Sequence, residues 1–348
     1  MKKPLVSLFA LAMWAAVPAG AAVCALDIVP ATTLLLPYFE VDLSKINKPK
    51  RAEVTTVTLT NHADSETLVH VTFWTDVALP VLAYDIPMPP FGSQDIPLHD
   101  IYRGEISELP GIDPENPGVA PPGVTTEDVI ARQTGKAIDG ECLTFPRGDN
   151  IARGYITFDV VGTNGNVFSN RRGRADHLNV LTGVVTYNNR RRKNGSLEYL
   201  VHLEQSEGLG SVWALDYDIG SGSRTEVIVW RDAGDGQSLD RAALCDGPSD
   251  NGWYPHNQVQ VAVADREGNM QEILVDAAGD SIPGFPLAAG RYEIARGGIA
   301  VPYKSGTMYL DLSNSAQSWV GLRRSFSSTK RQGRGQAVPI VPIECTEE

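Results

Sequence analysis

Short segments in which every second residue is apolar recur along most of this chain. The segments 69–74, 156–160 and 258–263 show the pattern clearly. Because successive side chains of a strand point to opposite faces of a sheet, such a segment buries one face and leaves the other polar. Similar segments lie between turns rich in Gly, Asn and Pro, at 53–60, 81–88, 179–187, 197–204, 226–231, 272–276, 291–295, 308–312 and 318–323. The pattern predicts an all-β protein of antiparallel sheets packed as one β-sandwich or two.

One segment, near 126–133, has a helical pattern instead. Thr125 and Asp128 are placed as a capping pair for residues 127–133, and Gly135 provides a stop. A single helix of this length does not change the predicted fold class.

A proline-rich segment separates the strands into two groups. Residues 109–124 contain five prolines, which lack the backbone N–H that a strand ladder needs, so we expect a loop or linker there. We therefore predict a first strand group within 22–108, a linker with the short helix at 109–150, and a second group within 151–348. The two groups would form either two sandwiches or one continuous body.

The N-terminus has the pattern of a secretory signal peptide. Lys2 and Lys3 precede an apolar stretch, 5–17, and small residues follow at 18–22. The apolar stretch is shorter than the roughly 20 residues that span a bilayer, which disfavours a membrane anchor. Lipid attachment at Cys24 is a second alternative. We predict a signal peptide at 1–21 and a periplasmic or extracellular mature protein with no membrane span.

The four cysteines agree with export. They are far apart in sequence and have no C-x-x-C spacing of the kind used by metal or redox sites. In an oxidising compartment two structural disulfides are expected. Three pairings are open, and we favour the one that joins the chain ends: Cys24 with Cys345, and Cys142 with Cys245.

The charge of the chain is strongly acidic but unevenly distributed. The 30 basic and 42 acidic residues give a net charge of −12, which argues against a nucleic-acid-binding protein. Residues 171–193 nevertheless hold seven basic residues and one acid, and residues 323–334 hold five basic residues and no acid. The Arg190–Lys193 run lies between two predicted strands, so we place it on an exposed hairpin loop.

These basic segments form the candidate anion-binding site, whose partner would be an anionic polysaccharide, lipopolysaccharide or anionic lipid. The alternative is solvated loop charges that discourage edge-to-edge aggregation. The candidate residues are Arg171, Arg172, Arg174, Arg190, Arg191, Arg192, Lys193, Arg323, Arg324, Lys330, Arg331 and Arg334.

Three stretches resemble segments of exported bacterial proteins of unassigned function. They are the opening ATTLLLPYFEVD at 31–42, the segment LVHVTFWTD at 68–76, and the strand VIVWRD at 227–232. The motifs of this resemblance are strand-like, so it implies a bacterial, exported origin and no particular activity.

No coherent set of catalytic residues is evident. Ser249-Asp250-Asn251 and Lys304-Ser305-Gly306 mimic two motifs of penicillin-recognising enzymes. The nucleophile motif of those enzymes should precede both, whereas the Ser-x-x-Lys at 327–330 follows them. We attribute the match to chance in turn sequences.

Metal-ligand patterns are weak as well. His202 and Glu204 share one strand face and could reach one ion together with His70 or His177. The acidic loop 232–240 departs from the spacing of the twelve-residue calcium loop. Polar strand faces and turn-forming residues explain both patterns, so we predict no metal and no cofactor.

A glycan-stacking site at Trp253 and Tyr254 is a further weak candidate, because both lie in a segment rich in turn formers.

The sequence as a whole favours an exported, non-enzymatic β-sandwich protein with a structural or binding role. The alternative is a secreted hydrolase that acts on glycans through a carboxylate pair, which sequence spacing cannot identify.

Overall fold

A computed structural model of the chain confirms the all-β class. It describes residues 29–47, 53–76, 78, 80–103, 126–134, 149–161, 178–189, 194–203, 212–220, 223–232, 260–274, 289–294, 299–312, 317–326 and 338–339. Within these ranges, none of the helices is both long and apolar enough to cross a membrane.

The strands of the described residues are β1 (Thr33–Asp42), β2 (Glu53–Asn61), β3 (Thr67–Trp74), β4 (Pro80–Met88), β5 (Ser93–Pro97), β6 (Ile151–Val161), β7 (Leu181–Asn189), β8 (Asn194–Tyr199), β9 (Val201–His202), β10 (Val212–Asp218), β11 (Ser223–Arg231), β12 (Gln260–Ala264), β13 (Met270–Leu274), β14 (Ala289–Glu293), β15 (Ser305–Asp311), β16 (Ser318–Phe326) and β17 (Val338–Pro339). The helices are α1 (Leu98–Ile101) and α2 (Thr126–Thr134), and a 3-10 turn covers Leu43–Lys45. Each segment predicted as a strand overlaps a strand, and α2 confirms the predicted helix.

The strands form four antiparallel sheets. Sheet 1 has the order β5-β2-β7-β8, sheet 2 β4-β3-β6-β1-β9, sheet 3 β14-β11-β16-β17 and sheet 4 β10-β15-β12-β13. Strands from both sides of the proline-rich segment pair with each other: β6 lies between β1 and β3, and β7 pairs with β2. The sequence-based domain division remains a prediction, and the whole proline-rich segment, 109–124, lies outside the described residues.

Sheets 1 and 2 pack face to face around a first core. Alternate residues of β2 and β7, such as Val57, Leu59 and Val185, meet alternate residues of β3 and β6, such as Val71 and Phe158. All of these side chains are buried. This arrangement is the β-sandwich that the period-two pattern predicted, with the opposite face of sheet 1 left to solvent.

Strand β1 contributes to two cores because sheet 2 is covered on both faces. Leu34 and Leu36 belong to the first core, whereas Leu35 belongs to a second core on the other face. The pairing with β6 shifts register between Leu36 and Phe39, so an extra residue, Pro37, forms a β-bulge. The bulge reverses the side-chain alternation, and Tyr38 therefore points towards the second core.

Sheet 3 lies between sheet 2 and sheet 4. On one side, Trp230 of β11 packs edge-on against Tyr155 of β6, with ring centroids 6.1 Å apart. On the other side, Trp213 Nε1 of β10 donates to Ser318 Oγ of β16 at 2.9 Å. Because both faces of sheet 3 are covered, every residue from 225 to 231 of β11 is buried.

Candidate functional site

The structure places one side chain of the predicted anion-binding site. Arg323, on β16, is half-buried, and its guanidinium carbon lies 5.9 Å from the ring centroid of Tyr187 on β7. Arg324 lies opposite Thr225 in the pairing of β16 with β11. The other predicted residues lie outside the described residues: Arg171, Arg172, Arg174, Arg190, Arg191, Arg192, Lys193, Lys330, Arg331 and Arg334.

Tyr187 belongs to the hairpin that carries the arginine run. Strands β7 and β8 pair antiparallel up to Asn189 and Asn194, so residues 190–193 form the connection between them. Tyr187 lies two residues before the end of β7. The Arg323 contact therefore brings the start of the second basic segment to the hairpin that contains part of the first.

An ion-pair network lies between sheets 2 and 3. It consists of Glu40, Asp149, Arg153, Arg224, Glu226, Arg291 and Glu293. Arg291 Nη2 of sheet 3 binds Glu40 Oε2 of sheet 2 at 2.6 Å, and Arg291 Nε lies 3.7 Å from Glu226 Oε1. Arg224 Nη2 then reaches Glu226 Oε1 at 3.3 Å and Glu293 Oε2 at 2.7 Å.

Glu40 is the junction of this network. Its Oε1 accepts a hydrogen bond from Tyr38 Oη at 2.6 Å and lies 3.4 Å from Arg153 Nε. Arg153 in turn binds both oxygens of Asp149, at 2.8 and 2.7 Å. Each carboxylate of the network is thus bound by at least one arginine, which is the arrangement of a structural ion-pair cluster.

A second polar cluster crosses sheet 2 on the face opposite the first core. His70 of β3 lies between Asp85 of β4 and Asp159 of β6 in the strand register. Its Nδ1 is 2.6 Å from Asp85 Oδ1, and Thr33 Oγ1 donates to Asp159 Oδ1 at 2.7 Å. Cross-strand register alone brings these four side chains into one row.

The environment raises the pKa of two groups in this row. The hydrogen bond to Asp85 raises the pKa of His70, and burial opposes it more weakly. Burial raises the pKa of Asp159, although the Thr33 hydrogen bond and the nearby His70 both act to lower it. An acid with a raised pKa next to a histidine is the feature of the described residues closest to acid–base chemistry.

The raised pKa of His70 predicts a pH-dependent contribution to stability. The folded protein favours the protonated histidine, so the contribution is complete below the unfolded pKa of about 6.5 and disappears as pH rises through the folded value. We expect His70→Gln to destabilise the protein more at pH 5.5 than at pH 9, by less than about 1 kcal/mol because the half-exposed pair is screened. Urea unfolding at both pH values measures this difference.

Asp85→Asn provides the matched test, since it removes the hydrogen bond and keeps the histidine. It should reduce the same pH dependence. A wild-type pH dependence that persists unchanged in both variants would contradict the prediction.

The structure leaves the residues that we considered as metal ligands apart or undescribed. His202 lies on β9, His70 is bound to Asp85, and Glu204 and His177 lie outside the described residues. Among the residues that are described, no group of three or more His, Cys, Asp or Glu side chains could hold a metal ion.

Several other predicted features also lie outside the described residues. They are the signal peptide 1–21, the cysteines Cys24, Cys142, Cys245 and Cys345, the aromatic pair Trp253 and Tyr254, residues 233–240 of the acidic loop, and the motifs 249–251 and 327–330. The motif 304–306, which matches one motif of penicillin-recognising enzymes, lies at the start of β15. There Ser305 and Gly306 pair with Asp218 and Tyr217 of β10.

Sequence reasoning did not identify the ion-pair network. Asp149 and Arg153 are four positions apart and Arg224 and Glu226 two apart, but the halves of the network on sheets 2 and 3 meet only when these sheets pack, and no local spacing connects the two halves. No known protein family, curated protein or solved structure matches the chain.

Proposed function

We propose that this chain is an exported, non-enzymatic β-sandwich protein with a structural or binding role at the bacterial cell envelope or outside the cell. Its ligand would be an anionic glycan or lipid, bound through the two basic segments. The observation that carries the proposal is the contact of Arg323 with Tyr187, because it joins the second basic segment to the arginine-rich hairpin. Two clusters of like charge that converge on an acidic protein produce a local field that attracts anions.

The described acids support a binding role over the hydrolase alternative. Glycoside hydrolysis needs two carboxyl groups that face each other across the scissile bond. Glu40 and Glu226 are instead bound by arginines, and His70 lies between Asp85 and Asp159. Export itself rests on the N-terminal pattern, and the two disulfides on the four widely spaced cysteines.

The decisive experiment measures binding of the full secreted chain to polygalacturonate, an acidic polysaccharide. We expect Arg190→Ser, Arg191→Ser and Arg192→Ser, combined in one variant, to weaken binding by at least tenfold. Wild-type binding should weaken from 0.1 M to 1 M salt, because the Debye length falls from roughly 10 Å to about 3 Å. Thermal stability should change little, because exposed charges contribute little to folding.

Arg266→Ser is the matched control. Arg266 is an exposed arginine between β12 and β13 of sheet 4, and its removal lowers the charge without changing either basic segment. Equal losses of affinity in the control and the triple variant would mean that the effect comes from net charge and not from the basic segments. Absence of salt-sensitive binding to polygalacturonate, lipopolysaccharide and anionic vesicles alike would overturn the proposal.

A further inference from the structure

The outer face of sheet 1, opposite the first core, has an unusual composition for so acidic a chain. Strand alternation directs Thr56, Thr58 and Thr60 of β2 to this face, next to Thr182, Val184 and Thr186 of β7. Leu197 and Tyr199 of β8 and Ser93 and Asp95 of β5 complete it. We call this surface the threonine face.

The threonine face is open and nearly uncharged. None of the described residues that point to this side from the four strands is buried, and Asp95, on the edge strand β5, is the charged residue among them. Leu197 is 47% exposed and Tyr199 is 55% exposed. Asp95 is thus the local source of repulsion on this face, and an anionic ligand meets less repulsion here than on a face lined with acids.

Its hydroxyl groups are held in place by their neighbours. Thr58 Oγ1 donates to Asp95 Oδ1 at 2.6 Å, Thr60 Oγ1 lies 3.0 Å from Ser93 Oγ, and Thr182 Oγ1 lies 2.8 Å from His62 Nε2. A hydroxyl has two lone pairs and a donor, so each retains capacity for a further hydrogen bond. The face thus presents ordered hydroxyls next to an exposed aromatic ring.

The size of the face indicates what can cover it. Four strands about 4.8 Å apart, and about six residue steps of roughly 3.3 Å from Thr182 to Asn188 of β7, give an area of roughly 400 Å². A stable protein dimer buries about 800 Å² per partner, so a second copy would need twice this surface. A lipid bilayer would require a larger set of apolar side chains that enter it, whereas this face has Leu197 and Tyr199 on its edge strand β8, beside strands that carry threonine hydroxyls.

We infer that the threonine face is a platform for a polysaccharide chain, with Tyr199 against a sugar ring and the threonine hydroxyls bonded to sugar hydroxyls. A tyrosine side chain has an apolar ring and a polar hydroxyl, so it suits a surface that is partly apolar and partly solvated. The inference rests on the proposed function, because the β7–β8 hairpin forms part of the threonine face and also carries the Arg190–Lys193 run. It narrows the proposed ligand to a glycan.

Binding of oligogalacturonate to the full secreted chain, measured by calorimetry, tests the platform. We expect Tyr199→Ser to lower the affinity by about tenfold, which is a typical loss when an aromatic side chain that contacts a ligand is truncated. The salt dependence of binding should not change. The triple arginine variant should instead reduce the salt dependence. Thr58→Val, which keeps the shape and removes a hydroxyl, should weaken binding by a smaller factor.

Met270→Ser is the control, because Met270 is an apolar side chain of sheet 4 that is 65% exposed. It should leave the affinity unchanged. Wild-type affinity in Tyr199→Ser together with weak binding in the triple arginine variant would overturn the platform and leave the proposed function standing. Binding to phosphatidylglycerol vesicles with none to oligogalacturonate would overturn the platform in favour of a lipid surface.

Discussion

Gly154→Ala should destabilise the protein by about 3 kcal/mol, the upper end of the usual cost of overpacking and the largest effect that we expect of a single added methyl group. Gly154 lies on β6, and a Cβ at this position would lie 1.8 Å from the backbone carbonyl oxygen of Trp74 on β3. A backbone atom cannot rotate away as a side chain can. The two strands would have to separate where Trp74 pairs with Tyr155. Urea unfolding, followed by tryptophan fluorescence, measures the loss.

Gly268→Ala is the matched comparison. Gly268 has a φ of +86°, and a Cβ there would have no atom within 4 Å. The cost is therefore conformational, about 1 kcal/mol, because an L side chain disfavours this region of backbone conformation. Similar losses for the two variants would show that the β3–β6 contact is more adaptable than the structure indicates.

Glu40→Gln is the second substitution with a large expected effect, about 2 kcal/mol. The carboxylate of Glu40 neutralises Arg291 of sheet 3 and Arg153 of sheet 2, and its side chain is 22% exposed. An amide keeps the shape but carries no charge. Because the pair is partly exposed, and Arg153 keeps Asp149 and Arg291 keeps Glu226 as acidic partners, the loss is smaller than for a fully buried pair. Denaturant unfolding of the variant measures the change.

A double-mutant cycle separates this network from simple packing. Glu40→Gln and Arg291→Met together should cost at least 1 kcal/mol less than the sum of the single losses, because both remove the same interaction. Lys45→Gln, which removes an exposed partner of Asp42, should cost less than about 0.5 kcal/mol. Additive losses at Glu40 and Arg291 would mean that the pair does not stabilise the contact between sheets 2 and 3.

Two of the strands that the sequence did not predict, β1 and β5, lack the clear alternation that identifies a strand, whereas β10 has this alternation and was missed. Strand β1 is buried on both faces and contains Pro37, so it shows a continuous apolar run in place of alternation. Strand β5 is a short edge strand in which Ile96 is buried and its neighbours are not. A period-two pattern identifies a strand only where one face is apolar and the other polar.

The sequence by itself determined the all-β class, the segments with alternating residues, the helix α2 and the β7–β8 hairpin. These features depend on periodicity and on turns between neighbours in the chain, which are local properties. Only the tertiary structure decided that β6 lies between β1 and β3, and that Arg323 meets Tyr187. The same holds for Glu40, whose arginine partners are 113 and 251 positions away. Such contacts arise from the pairing of distant strands and from the stacking of sheets, which no local spacing of residues encodes.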